Sequence, residues 1–428
     1  MKVCVLGLWH LGCVIAACLA DKGFDVIGLD EDTSVVERLR AGKAPIFEPG
    51  LDALVAQGLG RGRLSFTTDA AAAAAADVLW VAYDTPVDDD DRADVEFVKS
   101  RVRRLLPHLR RGSVVLISSQ MPVGSVAELE REDAARGARL SFACSPENLR
   151  LGAAIEAFRS PGRIVIGARD ARARQAIEPL LAPFSEKLLW VSVESAEMSK
   201  HALNAFLAVS VTFINEIATL CEKAGADVYE VEAALRSEPR VGAKAYVRPG
   251  AAFAGGTLAR DVMYLNHIGK RAKASTPLLG GVLPSNRAHR AWPLERTLEA
   301  LAPAMPGATA AVLGLAYKPG TDALRRSVAI ELIRGLLERG AKVRAFDPVV
   351  RALPPELAAV QLAPTAEDAA AGADALVVAT DWPEFGKLAV DSIVGRMARA
   401  IVIDQNRTLP AAFAADPRIR YLTIGRKT

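Results

Sequence analysis

The sequence predicts an α/β protein in which two Rossmann-like, doubly wound domains are joined by a long central helix and a helical middle domain. Three observations carry that prediction. Apolar, β-rich runs alternate with amphipathic stretches through the first part of the chain, a helix-spaced apolar pattern takes over from about residue 194, and strand–helix alternation returns after the Pro306–Gly307 pair. A length of 428 residues fits about three units of roughly 150 residues each.

Taken in order, the strand candidates of the first part are residues 3–8, 26–29, 78–82, 114–117, 140–143 and 164–166. Such near-continuous runs suit parallel strands buried on both faces. Helices over 11–21 and 34–41 supply the crossovers between them, and the alanine run 70–76 reads as one more short helix. In the middle part, Met198, Leu203, Phe206, Leu207, Val211, Phe213, Ile214 and Ile217 recur at helical spacing, which predicts a spine helix. Further helical segments follow to about residue 302, broken by the Gly-rich stretch 250–256. The last part has strand candidates at 310–315, 343–346, 375–379 and 400–403.

Composition narrows the function classes. Hydrophobic residues are 51% and charged residues 24%, close to an ordinary folded protein, so disorder is excluded as the main state. With 53 Lys+Arg against 50 Asp+Glu and no long basic run, the chain lacks the electrostatic footprint of a nucleic-acid binder, and small molecules are the expected partners. Five cysteines, Cys4, Cys13, Cys18, Cys144 and Cys221, form no CxxC pair, so neither a disulfide framework nor a metal site is indicated. No leader-like segment and no uninterrupted membrane-spanning run is evident, and the expectation is a cytoplasmic protein without a membrane partner.

The first motif with chemistry in it is GLWHLG, Gly7 to Gly12, between the first strand and the first helix. A dinucleotide fold places its phosphate-binding turn there. Gly7 allows the tight turn and Gly12 close packing of helix on strand, while N–H groups of the Trp9, His10 and Leu11 segment face the pyrophosphate. Trp9 occupies the middle position, where glycine usually lets the backbone approach the phosphates. Asp30 closes the second strand, where a carboxylate accepts from the ribose hydroxyls of adenosine and repels a 2′-phosphate. NAD is therefore the expected cofactor.

Beyond this turn, DEDTSVVERLRAGKAPIFEPGL (30–51), SPENLRLG (145–152), AEMSKHALNAFLA (196–208), GTDALRRS (320–327) and ATDWPEF (379–385) occur in order. With them the chain resembles the UDP-glucose/GDP-mannose dehydrogenase family over almost its whole length. The resemblance implies an NAD-binding Rossmann-like domain at 1–193, a central helical dimerisation domain at 194–303 and a nucleotide-sugar-binding Rossmann-like domain at 304–428. It implies a homodimer, a UDP-sugar or other NDP-sugar as substrate, and oxidation of the sugar's 6-hydroxyl. Residue by residue, it places Glu147 in acid/base work and Leu149 beside the sugar, with Leu151 where relatives carry a second glutamate. Lys200 and Asn204, four residues apart, would share a helix face toward a sugar oxygen. Thr85 and Arg325 would contact the cofactor, and Lys318 the sugar nucleotide. Arg240, Tyr246, Arg248 and Gly255 fall in segments that wrap the sugar, Arg240 reaching across the dimer.

The same alignment locates a departure. GAAFAGGTLARD (250–261) matches the family's nucleophile loop without a gap, and Thr257 falls where relatives place the catalytic cysteine. Their second oxidation captures the aldehyde as a thiohemiacetal and releases acid from a thioester, which a threonine hydroxyl is poorly suited to do. Gln120, in SSQMPVGS, replaces a threonine associated with the reactive water, while Asp261 keeps the matching aspartate. The expected activity is NAD-dependent oxidation of an NDP-sugar, in one two-electron step. A redox-neutral, epimerase-like reaction with retained NAD and a catalytically silent nucleotide-sugar binder remain the alternatives.

Overall fold

The computed structural model describes residues 1–88, 92–137, 140–147, 149–254, 256–302 and 305–426. It divides into two compact units, Met1–Leu203 and Asn204–Thr428.

In the first unit the described residues form strands β1 (Lys2–Leu6), β2 (Asp25–Leu29), β3 (Leu64–Thr67), β4 (Val78–Val81), β5 (Val114–Ile117), β6 (Ser141–Cys144), β7 (Ile164–Ala168) and β8 (Leu188–Val191). They make one sheet in the order β3-β2-β1-β4-β5-β6-β7-β8. The helices are α1 (His10–Asp21), α2 (Thr33–Arg40), α3 (Leu51–Gly60), α4 (Val95–Leu105), α5 (Ser125–Ala135), α6 (Ala154–Arg159), α7 (Ala171–Leu181) and the start of α8 (Val193–Ala224). Alternate strand residues feed two cores. Val3, Val5, Val78 and Trp80 pack into one, Cys4, Leu6, Leu79 and Val81 into the other. Burial on both faces is why these strands read as continuous apolar runs.

The second unit repeats the plan with β9 (Thr309–Leu313), β10 (Lys342–Phe346), β11 (Gln361–Leu362), β12 (Ala375–Val378), β13 (Ile401–Asp404) and β14 (Arg420–Leu422), ordered β11-β10-β9-β12-β13-β14 and parallel throughout. Ahead of this sheet come the rest of α8, then α9 (Val228–Ser237), α10 (Thr257–Ala272), α11 (Pro277–Arg290) and α12 (Trp292–Leu301), and α13 (Val328–Glu338) follows β9. The order 3-2-1-4-5-6 in both sheets is that of a dinucleotide-binding fold, with its switch point between the first and fourth strands.

Four differences from the sequence reading have physical causes. Strands β3, β8, β11 and β14 were not expected. All four are sheet edges, short and partly exposed, as in Leu64–Thr67 where Ser65 faces solvent, so they lack the doubly buried signature. Strand β7 pairs antiparallel with β6, through Ala143↔Ala168 and Cys144↔Gly167, and carries β8 parallel beyond it. The alanine run forms a 3₁₀ turn over Ala70–Ala75, capped by Asp69, because it lacks an apolar stripe long enough to anchor an α-helix. Finally, α8 is by length and composition capable of crossing a bilayer, contrary to the expectation that no such run exists. Its polar side chains bind protein groups within each unit, as described below.

Candidate active site

The cofactor turn of the first unit is built as the motif suggests. Gly7 has φ +93°, its N–H donates to Leu29 O at 3.0 Å, and a Cβ there would meet the Tyr83 ring at 2.7 Å. A Cβ on Gly12 would stand 1.7 Å from Gly7 O, so only glycine lets α1 start this close to β1. Trp9 caps α1 with a negative φ that any residue adopts, and its ring is half-exposed. Asp30 takes the Leu8 N–H at 2.6 Å and the Asp32 N–H at 3.0 Å, which fixes the carboxylate at the strand end. This cradle, with the open N-terminus of α1 and a fixed carboxylate about twenty residues on, fits an NAD molecule. His10 does more than lead the helix. Its Nε2 lies 3.0 Å from Glu48, a buried carboxylate that also accepts from Gly152 N and Ala154 N at 2.7 and 2.9 Å.

Glu48 thus ties the turn to the segment carrying Glu147 and Leu149. Those two line a cavity of about 460 Å³ with Phe158, Arg163 and Leu203. The Gln120 segment is held from two sides. Thr85 Oγ1 donates to Gln120 O at 2.6 Å, and α8 contributes His201, whose Nε2 donates to Met121 O at 3.0 Å, and Glu197, which accepts from Gly124 N and Val126 N at 2.7 and 3.0 Å. Burial pushes the Glu197 carboxyl above its ordinary value, and the two N–H donors pull the other way. Lys200 lies on the same helix, one turn before Asn204.

In the second unit, Asn204 Nδ2 donates to Asp261 Oδ2, and both side chains are buried. Thr257 is the first residue of α10, one turn ahead of Asp261. The preceding loop is pinned by groups from three other segments. Gly250 N–H donates to Asn215 Oδ1 at 3.1 Å, Ala251 N–H to Asn406 Oδ1 at 2.7 Å, Phe253 N–H to Asn286 Oδ1 at 3.0 Å, and His289 Nε2 donates to Gly250 O at 2.8 Å. Burial lowers the His289 pKa. Thr257 opens onto a cavity of about 740 Å³ whose lining includes Tyr246, Lys318 and Arg325. Arg325, expected at the cofactor, therefore shares a cavity with the residues expected at the sugar nucleotide. Arg248 is exposed, and Arg240 is exposed and paired with Glu238 at 2.9 Å, neither lining this cavity. Gly255 lies outside the described residues.

All five cysteines are buried. Burial pushes the Cys4 and Cys18 thiols up to about 12 and raises Cys13, Cys144 and Cys221 as well, so none is a ready thiolate near neutral pH. Among the described residues no cluster of His, Cys, Asp or Glu is arranged to hold a metal ion.

Sequence reasoning missed Glu48, Glu197, His201, Asn215, Asn286, His289 and Asn406, which hold the loops on which the expected residues stand. For Glu197, His201 and Asn215 a signal existed: polar residues inside a long apolar helix, the first two at i, i+4. For the others the partner is distant in sequence, and no local pattern marks them.

Comparison with known proteins agrees over the whole length. Residues 1–185 match the NAD binding domain of the UDP-glucose/GDP-mannose dehydrogenase family, 194–288 its central domain and 311–411 its UDP binding domain. The chain is 36% identical over 439 residues to a UDP-glucose 6-dehydrogenase of Rhizobium meliloti, with 100% of both chains covered. Among solved structures it is similar to a UDP-D-ManNAc dehydrogenase from Pyrococcus horikoshii, with TM-score 0.86, 29% identity and coverage of 100% and 99%. It is likewise similar to a UDP-glucose dehydrogenase from Pyrobaculum islandicum, with TM-score 0.85, 32% identity and coverage of 95% and 96%.

Proposed function

The chain belongs to the UDP-glucose/GDP-mannose dehydrogenase family, and from that premise we propose that it oxidises the 6-hydroxyl of a UDP-sugar with NAD in a single two-electron step. One observation supports the single step above others. Thr257, not a thiol, heads α10 at the larger cavity, while every cysteine is buried with its thiol held protonated.

When bound, NAD supplies the hydride acceptor. The Gly7–Gly12 turn with Trp9, His10 and Leu11, together with Asp30 and Thr85, hold and orient it. Lys200 places an ammonium beside the sugar oxygen and stabilises the alkoxide that forms as the hydroxyl loses its proton. Asn204 presents its amide to the same oxygen and is oriented by its hydrogen bond to Asp261. Glu147 takes up the proton, with Leu149 against the sugar. Gln120 occupies the place of a water-holding hydroxyl, and its amide leaves that water poorly activated. Tyr246, Lys318 and Arg325 surround the nucleotide, the two cations facing its phosphates, with Arg248 in the segment that wraps the sugar. The three-domain division at 1–193, 194–303 and 304–428 follows from the same reading.

The protein also acts as a homodimer in this account. Phe206, Phe213 and Leu220, seven residues apart on α8, are 64%, 46% and 62% exposed, an apolar stripe that a second copy would cover. Arg240 would then serve the partner's site. Phe213→Glu should turn a dimer into a monomer by light scattering at micromolar concentration; a wild-type monomer would contradict the assignment.

For the chemistry, Thr257→Cys should convert part of the carbonyl product to acid, read by product mass, because a thiol restores covalent capture of the aldehyde. An unchanged product would mean that the cysteine position is not what limits the reaction.

A further inference from the structure

The residue after the ribose-reading carboxylate is itself a carboxylate, and it is engaged with two arginines from another helix. Glu31 pairs with Arg101 at 3.5 Å and with Arg104, both on α4. The Arg101 guanidinium carbon stands over the Phe97 ring, 3.5 Å from its centroid, and 5.7 Å from that of Tyr83. The Tyr83 ring packs beneath Gly7 of the cofactor turn, and its hydroxyl, on a residue only 7% exposed, has no hydrogen-bond partner among the described residues. Burial first, then the charges of Asp30 and Glu31, raise the pKa of that phenol, and Arg101 and Arg104 oppose them. Two acids, two bases and an unsatisfied buried hydroxyl are therefore grouped at the strand end where the adenosine ribose is read.

We propose that Glu31 is a specificity-determining residue of the cofactor site: its carboxylate engages Arg101 and Arg104 and, together with Asp30, balances their two charges, so that the ribose position accepts a 2′-hydroxyl and rejects a 2′-phosphate. Two arginines paired with one carboxylate become a ready phosphate clamp once that carboxylate is removed. Engaged by Glu31, they keep one net positive charge, which the adjacent Asp30 cancels, so a dianion meets no net attraction. Cofactor choice then depends on both acids. A surface ion pair of this kind contributes little to stability, so a purely structural role would leave nucleotide preference unmoved.

The inference rests on the ribose lying at Asp30, and the test separates the two. NAD and NADP are titrated calorimetrically into the full-length protein, as wild type, Asp30→Ser, Glu31→Ala, Asp30→Ser/Glu31→Ala, and the last with Arg101→Ala and Arg104→Ala added. The NADP-to-NAD affinity ratio should rise about tenfold in Glu31→Ala and about 100-fold in the double variant, then fall back to the Asp30→Ser value once the arginines are removed. The gain should also shrink with added salt. If Asp30→Ser leaves NAD affinity unchanged, the ribose is elsewhere and the assignment falls with it. If NAD affinity drops but removing Glu31 adds nothing to the ratio, or the gain survives loss of both arginines, Glu31 has no such role. Glu31→Gln, which keeps volume and removes charge, decides the matter should the alanine variant lose its circular dichroism.

Discussion

The two sheets share one device at their switch points and use it for opposite ends. In the first unit Gly7 N–H bonds to Leu29 O and Leu8 N–H to Asp30; in the second Gly314 N–H bonds to Phe346 O at 2.8 Å and Leu315 N–H to Asp347 at 2.7 Å. There the likeness ends. After Gly7, α1 begins at His10, leaving a helix N-terminus and a half-buried carboxylate for a dinucleotide. After Gly314 the chain detours to Val328 before α13 begins, and Asp347 is buried under five donors: the N–H groups of Leu315, Ala316, Val349 and Val350 and the Trp382 indole. Burial would raise the Asp347 pKa, yet the backbone donors hold it below the usual carboxylate range. The same carboxylate position stays half-buried beside the cofactor turn in one fold and fastens a loop in the other. In the second unit that loop brings Lys318 and Arg325 to the wall of the cavity of about 740 Å³, where the proposed function has them meet the nucleotide.

Asp347→Ala should have the largest effect. It leaves buried donors unpaired and should cost about 3 kcal/mol or more, read as a lower urea midpoint. Asp30→Ala should cost the fold about 1 kcal/mol or less while weakening NAD binding about tenfold or more by calorimetry. Equal stability losses at the two positions would erase the contrast between them. The smallest effect concerns how the second unit holds its loop. His289 donates to Gly250 O as a neutral imidazole, and burial depresses its pKa below the ordinary 6.5. The unfolded chain then binds more protons as pH falls below about 6.5, so stability is complete above that value and is lost on acidification. His289→Gln should remove this increment, about 1 kcal/mol or less at pH 5.5, from the pH dependence of the melting midpoint. An unchanged pH dependence would mean that His289 does not titrate as its burial requires.

Legibility in the sequence followed burial. Central strands such as Val114–Ile117 were read to the residue because both faces are apolar, whereas the four edge strands escaped because only burial on two faces writes a continuous run. The Gly7–Gly12 turn and Asp30 were legible because their geometry is local. The supports of the reactive loops were not, since Glu48 meets Ala154 and Asn406 meets Ala251 across more than a hundred residues of chain. Spacing shows what lies on one element, not which distant backbone group a side chain satisfies.

The most direct measurement is stoichiometric: unmodified protein, a panel of UDP-sugars, NADH formed per sugar consumed, and product mass. One NADH per sugar is expected, with a carbonyl compound or its hydrate accumulating. Two NADH per sugar with the uronic acid as sole product would show that Thr257 does not limit the reaction to one step. Sugar conversion without NADH, or no conversion of any UDP-sugar, would contradict the oxidation itself.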